Sequence, residues 1–193
     1  LEVVKREDFV PLAHKALAFV DMEIPLREGG ARGQVMLAPR IEARLLQDAA
    51  VQKHEKVLEV GTGSGYMAAL LAHRAQRVVT VEIEPELARM ARANLQKAGV
   101  HNVEVLELDA SQGIKAEGPF DVIVLSGSVA EVPHVLLAQL KPGGRLVGIV
   151  GEEPAMNATV VTRTGESTWT TKTPWDTVAP RLLNFPAPPR FKF

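Results

Sequence analysis

The stretch VLEVGTGSGY, Val57 to Tyr66, decides the reading of the fold. An apolar run with one acid, Lys56 to Val60, reads as a buried strand, and YMAALLAHRAQR, Tyr66 to Arg77, is rich in Ala and Leu and reads as a helix. Between them stand Gly61, Gly63 and Gly65. Glycine serves a turn of this kind because the backbone must bend sharply and because a ligand can then approach the main chain without meeting a Cβ. A helix that starts at such a turn points free N–H groups and partial positive charge at it, which suits an anionic group. Three alternating glycines exceed what an ordinary strand-to-helix turn requires, so the segment is read as a ligand-binding turn.

Outward from the turn, strands and helices alternate. VVTVE, Val78 to Glu82, is a second strand dominated by β-branched residues. PELARMARANLQKA, Pro85 to Ala98, is a helix with proline in its first turn and Gly99 at its stop. Val103 to Leu108 and Phe120 to Leu125 are the third and fourth strands, Val132 to Leu140 a helix closed by Lys141-Pro142-Gly143-Gly144, and Arg145 to Val150 a fifth strand. Ile41 to Ala50 is an amphipathic helix ahead of the first strand, and Arg27 to Gly33 a polar, glycine-rich loop. After Gly151 the pattern changes: Thr159 to Arg163 and Ser167 to Thr173, joined through Thr164-Gly165-Glu166, read as a hairpin, and the Pro-rich tail NFPAPPRFKF as irregular. The alternation predicts an α/β fold of Rossmann-like type: parallel strands joined by crossovers, helices on both sheet faces, and a C-terminal antiparallel hairpin.

Composition narrows the function classes. The chain of 193 residues suits one domain, here 1–193, with 1–50 as an N-terminal cap segment and 51–193 as the core. A formal net charge of -1 and the absence of a basic run argue against avid nucleic-acid binding. There is no cysteine, hence no disulfide and no thiolate ligand, which fits a reducing, cytoplasmic setting. No apolar run approaches the ~20 residues of a membrane helix, and no secretory leader is read at the start. His14, His54, His73, His101 and His134 are scattered without ligand spacing, so no metal is expected. The chain begins at Leu1 rather than Met, which leaves open what precedes it; the oligomeric state is also open.

Spacing separates the candidate ligands. The dinucleotide fingerprint is G-x-G-x-x-G; here the third glycine falls one place early and Tyr66 takes the place of the last, which disfavours a nicotinamide dehydrogenase. With Glu59 two residues before the first glycine, the pattern resembles motif I of the S-adenosylmethionine-dependent methyltransferases. That resemblance implies a class I methyltransferase fold with a seven-stranded, mostly parallel sheet. It also implies a cofactor site at Glu59, Gly61, Thr62, Gly63, Gly65, Tyr66, Glu82, Ile83, Asp109, Ala110 and Ser126, for S-adenosyl-L-methionine and its product S-adenosyl-L-homocysteine. Glu82, at the end of the second strand, can accept hydrogen bonds from both ribose hydroxyls; Asp109 ends the third strand, where the resemblance implies a place beside adenine.

Several further segments resemble one subfamily, the protein-L-isoaspartate O-methyltransferases: REDFVP (Arg6 to Pro11), AFVDMEIPL (Ala18 to Leu26), Gly33-Gln34 with Ala38-Pro39, and Asp121 with Glu131-Val132-Pro133. The implied reaction esterifies the α-carboxylate of isoaspartyl residues in damaged proteins, and the implied substrate segment is Val35, Met36, Leu37 and Ala38. The family's Thr-Ile-Ser there is Val35-Met36-Leu37, so a serine hydroxyl that helps bind the acceptor is replaced by leucine. A lost charged hydrogen bond at a buried carboxylate costs ~1.5–3 kcal/mol, so weak or absent isoaspartyl activity is expected. The rival readings are a methyltransferase for another acceptor and a non-catalytic module that binds the cofactor.

Overall fold

A computed structural model describes residues 3–29, 33–114 and 117–189. The middle of the glycine-rich loop read at Arg27 to Gly33 and the last residues of the Pro-rich tail lie outside them. In chain order the elements are β1 (Ile24–Pro25), β2 (Val35–Met36), α1 (Pro39–Ala49), β3 (Lys56–Val60), α2 (Tyr66–Ala72), β4 (Arg77–Glu82), α3 (Pro85–Lys97) and β5 (Val103–Glu107). They continue as β6 (Phe120–Val129), α4 (His134–Leu137), β7 (Leu140–Glu152), β8 (Ala155–Arg163) and β9 (Trp169–Asp176), with short 3-10 turns between.

The seven-stranded sheet has the order β5-β4-β3-β6-β7-β8-β9. Its first five strands in that order pair in parallel, and β8 pairs antiparallel with both β7 and β9. The expected mostly parallel sheet with a C-terminal antiparallel hairpin is therefore present. Alternation along each strand separates two cores. Val57, Val78, Val122, Val124 and Val147 face α1, α2 and α3, while Leu58, Val79, Val81, Ile123 and Leu125 face α4 and the loops after β5. Strands buried on both faces need continuous apolar sequence, and β3, β4 and β6 show it. In α1, Ile41, Leu45, Leu46 and Ala49 are buried, a stripe at helical spacing, with Pro39 in the first turn.

The chain runs outward from β3 to β4 and β5, then returns to β6 on the other side of β3. At such a reversal the crossover connections part in opposite directions and leave a crevice beyond the carboxyl ends of the strands.

Several elements differ from the sequence reading. The helix read to Arg77 ends at Ala72, because Arg77 is drawn into the sheet opposite Lys56. The helix read over Val132 to Leu140 shrinks to α4: Pro133 precedes its first turn, and Leu140 pairs with Phe120 in the sheet. Lys141 to Gly144 accordingly lie within β7. The strand read to Leu125 runs on to Val129, where Ser128 and Val129 pair with Ile149 and Val150 after a register shift. The β1–β2 ladder, Ile24 opposite Met36, is a contact between segments with no strand-like run of their own.

Candidate functional site

The crevice at the reversal is a cleft of ≈ 750 Å³, its open mouth included, and its floor is the glycine turn. The Gly61 N–H donates to Val81 O at 2.9 Å, which ties the turn to β4. Gly61 (φ 93) and Gly63 (φ 54) both occupy the left-handed half of backbone space that other residues avoid, and both line the cleft. Glu82 ends β4 at the cleft wall and is 6% exposed. Its carboxylate accepts from the Gly63 N–H at 2.8 Å and the Glu84 N–H at 3.2 Å. Burial raises its pKa above the ordinary value, and the N–H groups of Gly63, Glu84 and Ile83 pull against that rise. A carboxylate offers about four acceptor positions, so Glu82 keeps capacity to accept from a ligand.

Asp109 lies past the end of β5. Its Oδ1 accepts from the Ser111 N–H at 2.9 Å and its Oδ2 from Asn184 Nδ2 at 2.8 Å. Slight burial raises its pKa, but these hydrogen bonds outweigh it and hold the carboxyl below its usual value. Three acids (Glu82, Glu84, Asp109) line the cleft against one cation, Arg181, among the described residues. The excess of negative charge suits a cationic ligand that carries hydroxyl or amine donors. No group of three or more His, Cys, Asp or Glu among the described residues is placed to hold a metal ion.

Of the residues read from the sequence, Gly61, Gly63, Glu82, Ile83, Asp109, Ala110, Ser126 and Val35 come together in the lining. Glu59, Thr62, Gly65 and Tyr66 do not. Glu59 lies on the face of β3 that turns toward the helices and is 0% exposed; the Thr80 and Ser126 hydroxyls hydrogen-bond its two oxygens at 2.7 and 2.6 Å. Burial pushes Glu59 up to about 8, against the lowering by those hydroxyls and with a further rise from Glu42 and Glu82, so it is protonated at neutral pH. Thr62 continues the chain through Thr80, Oγ1 to Oγ1 at 2.6 Å. A Cβ on Gly65 would stand 3.4 Å from Ala91 and 3.2 Å from Leu95, so the third glycine serves the packing of α2 against α3. Tyr66 and the turn that follows it are buried, and the start of α2 faces the core rather than the cleft. The Tyr66 ring packs on Phe9 and under the Arg6 guanidinium.

Met36, Leu37 and Ala38 also point away from the cleft. Met36 pairs with Ile24, and Ala38 precedes the first turn of α1. Leu37 is 4% exposed and packed among the core residues, and its carbonyl accepts from Arg6 Nη2 at 2.9 Å. The leucine that stands in place of the family's serine therefore does not line the cleft. Arg6 also bonds Ala18 O and pairs with the buried Glu42, which fastens the N-terminal segment to α1. Burial pushes Glu42 up to about 7 despite the lowering by Arg6. The sequence reading missed Leu26, Gln34, Leu87 and Leu108 in the lining, and above all Arg181, Leu182, Leu183 and Phe185. No local signal marks a residue that reaches the site from a distant loop.

With this geometry in place, comparison with known proteins decides the family. The profile of the protein-L-isoaspartate(D-aspartate) O-methyltransferases matches residues 1–178. The chain belongs to that family. The protein-L-isoaspartate O-methyltransferase of Methanoculleus marisnigri is 43% identical over 148 residues, 77% of this chain and 66% of that relative. The Koribacter versatilis protein of the same name is 40% identical over 163 residues, 84% of this chain and 71% of that relative. The chain thus spans about two thirds of the length of these curated relatives. Among solved structures, a Plasmodium falciparum protein described as a protein-L-isoaspartate O-methyltransferase, in complex with S-adenosyl-L-homocysteine, superposes with a TM-score of 0.76. It is 18% identical, and the match covers 93% of this chain and 86% of that one. A second protein-L-isoaspartate O-methyltransferase gives a TM-score of 0.80 at 24% identity, over 93% of this chain and 58% of that one. These likenesses bear on the fold, which is that of the class I methyltransferases.

Proposed function

We propose that this chain binds S-adenosyl-L-methionine in the crevice between β3 and β6 and methylates the α-carboxylate of isoaspartyl residues in proteins or peptides. The observation that carries the reading is the acid at the end of β4, fixed by the Gly63 N–H and aimed into a cleft floored by glycine, in a chain of this family. Four residues fit the cofactor on chemical grounds. Bare main chain at Gly61 and Gly63 admits the methionine end, Glu82 accepts from the ribose hydroxyls, and Asp109 accepts from the adenine amine. Ile83, Ala110 and Ser126 supply the remaining wall. Glu59, Thr62, Gly65 and Tyr66 support this floor from behind.

When bound, the cofactor supplies a methyl group on a sulfonium that is a ready leaving group. The chain's own residues bind and orient. The acids of the cleft offset the sulfonium charge, and the apolar wall of Leu26, Val60, Val81, Leu87 and Leu108 excludes water. An acceptor carboxylate is ionised at neutral pH, so no general base is required. The near-neutral net charge of -1 gives no support to a nucleic-acid partner, and the absence of cysteine supports a cytoplasmic setting. No helix among the described residues is long and apolar enough to cross a membrane.

Two measurements test the reading. Calorimetry should detect S-adenosyl-L-methionine binding and no NAD binding, and labelled methyl should pass to an isoaspartyl peptide but not to its aspartyl counterpart. Binding of NAD alone, or equal labelling of the two peptides, would overturn it.

A further inference from the structure

The C-terminal segment occupies the floor of the cleft. A Cβ added to Gly61 would stand 2.9 Å from Leu182 Cδ2, and one added to Gly127 would stand 2.7 Å from the same atom. The bare main chain on which the proposed cofactor would rest is thus already covered by a leucine methyl. Two residues on, Asn184 Nδ2 donates to Asp109 Oδ2 at 2.8 Å. That carboxylamide NH2 makes the hydrogen bond assigned above to the exocyclic amine of adenine. Leu183 and Phe185 complete the wall.

The segment is held by few ties. The Ser128 N–H donates to Pro180 O at 2.7 Å, the Leu182 N–H to Ser128 O at 2.8 Å, and Ser128 Oγ to Ala179 O at 2.7 Å. Beyond them, Leu183 is 48% exposed and Asn184 turns through a left-handed conformation (φ 67), which asparagine tolerates better than most residues. Arg181 Nη1 also donates to Gly151 O at 3.0 Å and Ser128 is 0% exposed, so the root of the segment is buried and only the stretch beyond it lies at the surface, where opening costs less free energy. The match to the family ends at residue 178, just before it.

We infer that residues 180–185 form an internal ligand of the cofactor cleft, a strap that holds Gly61 and Asp109 closed and must leave before S-adenosyl-L-methionine can enter. The inference rests on the proposed cofactor reading. A strap of this kind lowers apparent affinity by the fraction of molecules in which it is open. It also limits the rate of association to the rate of opening.

Amide hydrogen exchange on the full, unaltered chain tests this directly. Saturating S-adenosyl-L-homocysteine should speed exchange of the Ser128 and Leu182 amides, whose hydrogen bonds to Pro180 O and Ser128 O are broken when the strap leaves. The double variant Leu182→Ala/Asn184→Ala should bind S-adenosyl-L-homocysteine at least about tenfold more tightly, with faster association in stopped flow. Binding by the double variant alone, with none by the unaltered chain, would support the strap in its tightest form. Slower exchange of the two amides on ligand addition, or weaker binding by the double variant, would make residues 180–185 a wall of the site and overturn the inference. Absence of binding by both proteins would instead remove the cofactor reading, and the strap with it.

Discussion

Replacing Glu59 by glutamine should stabilise the protein, and the gain should grow with pH. Glu59 is 0% exposed and sits between the Thr80 and Ser126 hydroxyls. Its pKa is raised from 4.5 to about 8 in the fold, chiefly by desolvation. The folded state therefore keeps a proton that the unfolded state releases. With more protons bound in the native state, stability falls as pH rises above the unfolded value, and the loss is complete once pH passes the folded one. One pH unit is worth about 1.4 kcal/mol. Between about pH 5 and about pH 8 the penalty should therefore reach about 4 kcal/mol. Glutamine has nearly the same shape, and its amide can accept from one hydroxyl and donate to the other, but it has no proton to lose. Urea denaturation of both proteins at the two pH values measures the difference. Glu42, raised to about 7 by burial, titrates in both proteins, so the difference between them carries the Glu59 contribution together with its coupling to Glu42. If the two stability curves run parallel in pH, Glu59 is ionised in the fold and the account of it as a buried neutral acid is wrong.

Three other outcomes are expected. Glu82→Gln keeps the volume and the tie to Gly63 but loses the charge offered to the ribose; at ~1.5–3 kcal/mol for a hydrogen bond to a charged group, S-adenosyl-L-homocysteine affinity should fall about tenfold to a hundredfold by calorimetry. An unchanged dissociation constant would remove the ribose assignment. Arg6→Met strands the Glu42 carboxyl in the core and should cost ~3–5 kcal/mol in urea near neutral pH. That loss should shrink below the folded pKa of Glu42, about 7, where the carboxyl carries a proton. Leu37→Ser should destabilise by about 3 kcal/mol through lost apolar burial without raising isoaspartyl turnover; a gain in turnover at unchanged stability would place residue 37 at the acceptor after all.

How the fold was legible is seen in β3 and the turn after it. The apolar run, the alternating glycines and the helix formers beyond them are local features, and each falls where the sequence places it. The same is true of α3, bounded by Pro85 and Gly99, and of Glu82 at the end of β4, whereas Asp109 falls two residues past β5 at the start of a short 3-10 turn. The errors arose where a local preference met a distant partner. Leu140 has the makings of a helix end but pairs with Phe120. Gly65 looks like part of a ligand turn, yet its missing Cβ is needed by Ala91 and Leu95 of another helix. Leu37 occupies a motif position read as acceptor-facing, and the Arg6 bond to its carbonyl fixes that segment with the side chain inward.

The sequence by itself determined the class of the protein: parallel strands with crossovers, a glycine floor, two acids at strand ends, and a likeness in motifs that the family match repeats. These depend on spacings of a few residues, and backbone geometry turns such spacings directly into structure. Only the tertiary structure decided which atoms face the cleft. Whether Glu59 shares the crevice with Glu82 depends on depth along the sheet, since Glu59 pairs with Thr80, two residues inside Glu82 on the same face, and whether Leu182 and Asn184 reach Gly61 and Asp109 depends on a closure across about half the chain's length. Contacts between residues so far apart are set by the packing of the whole sheet, and the composition of the segments that meet carries no sign of it.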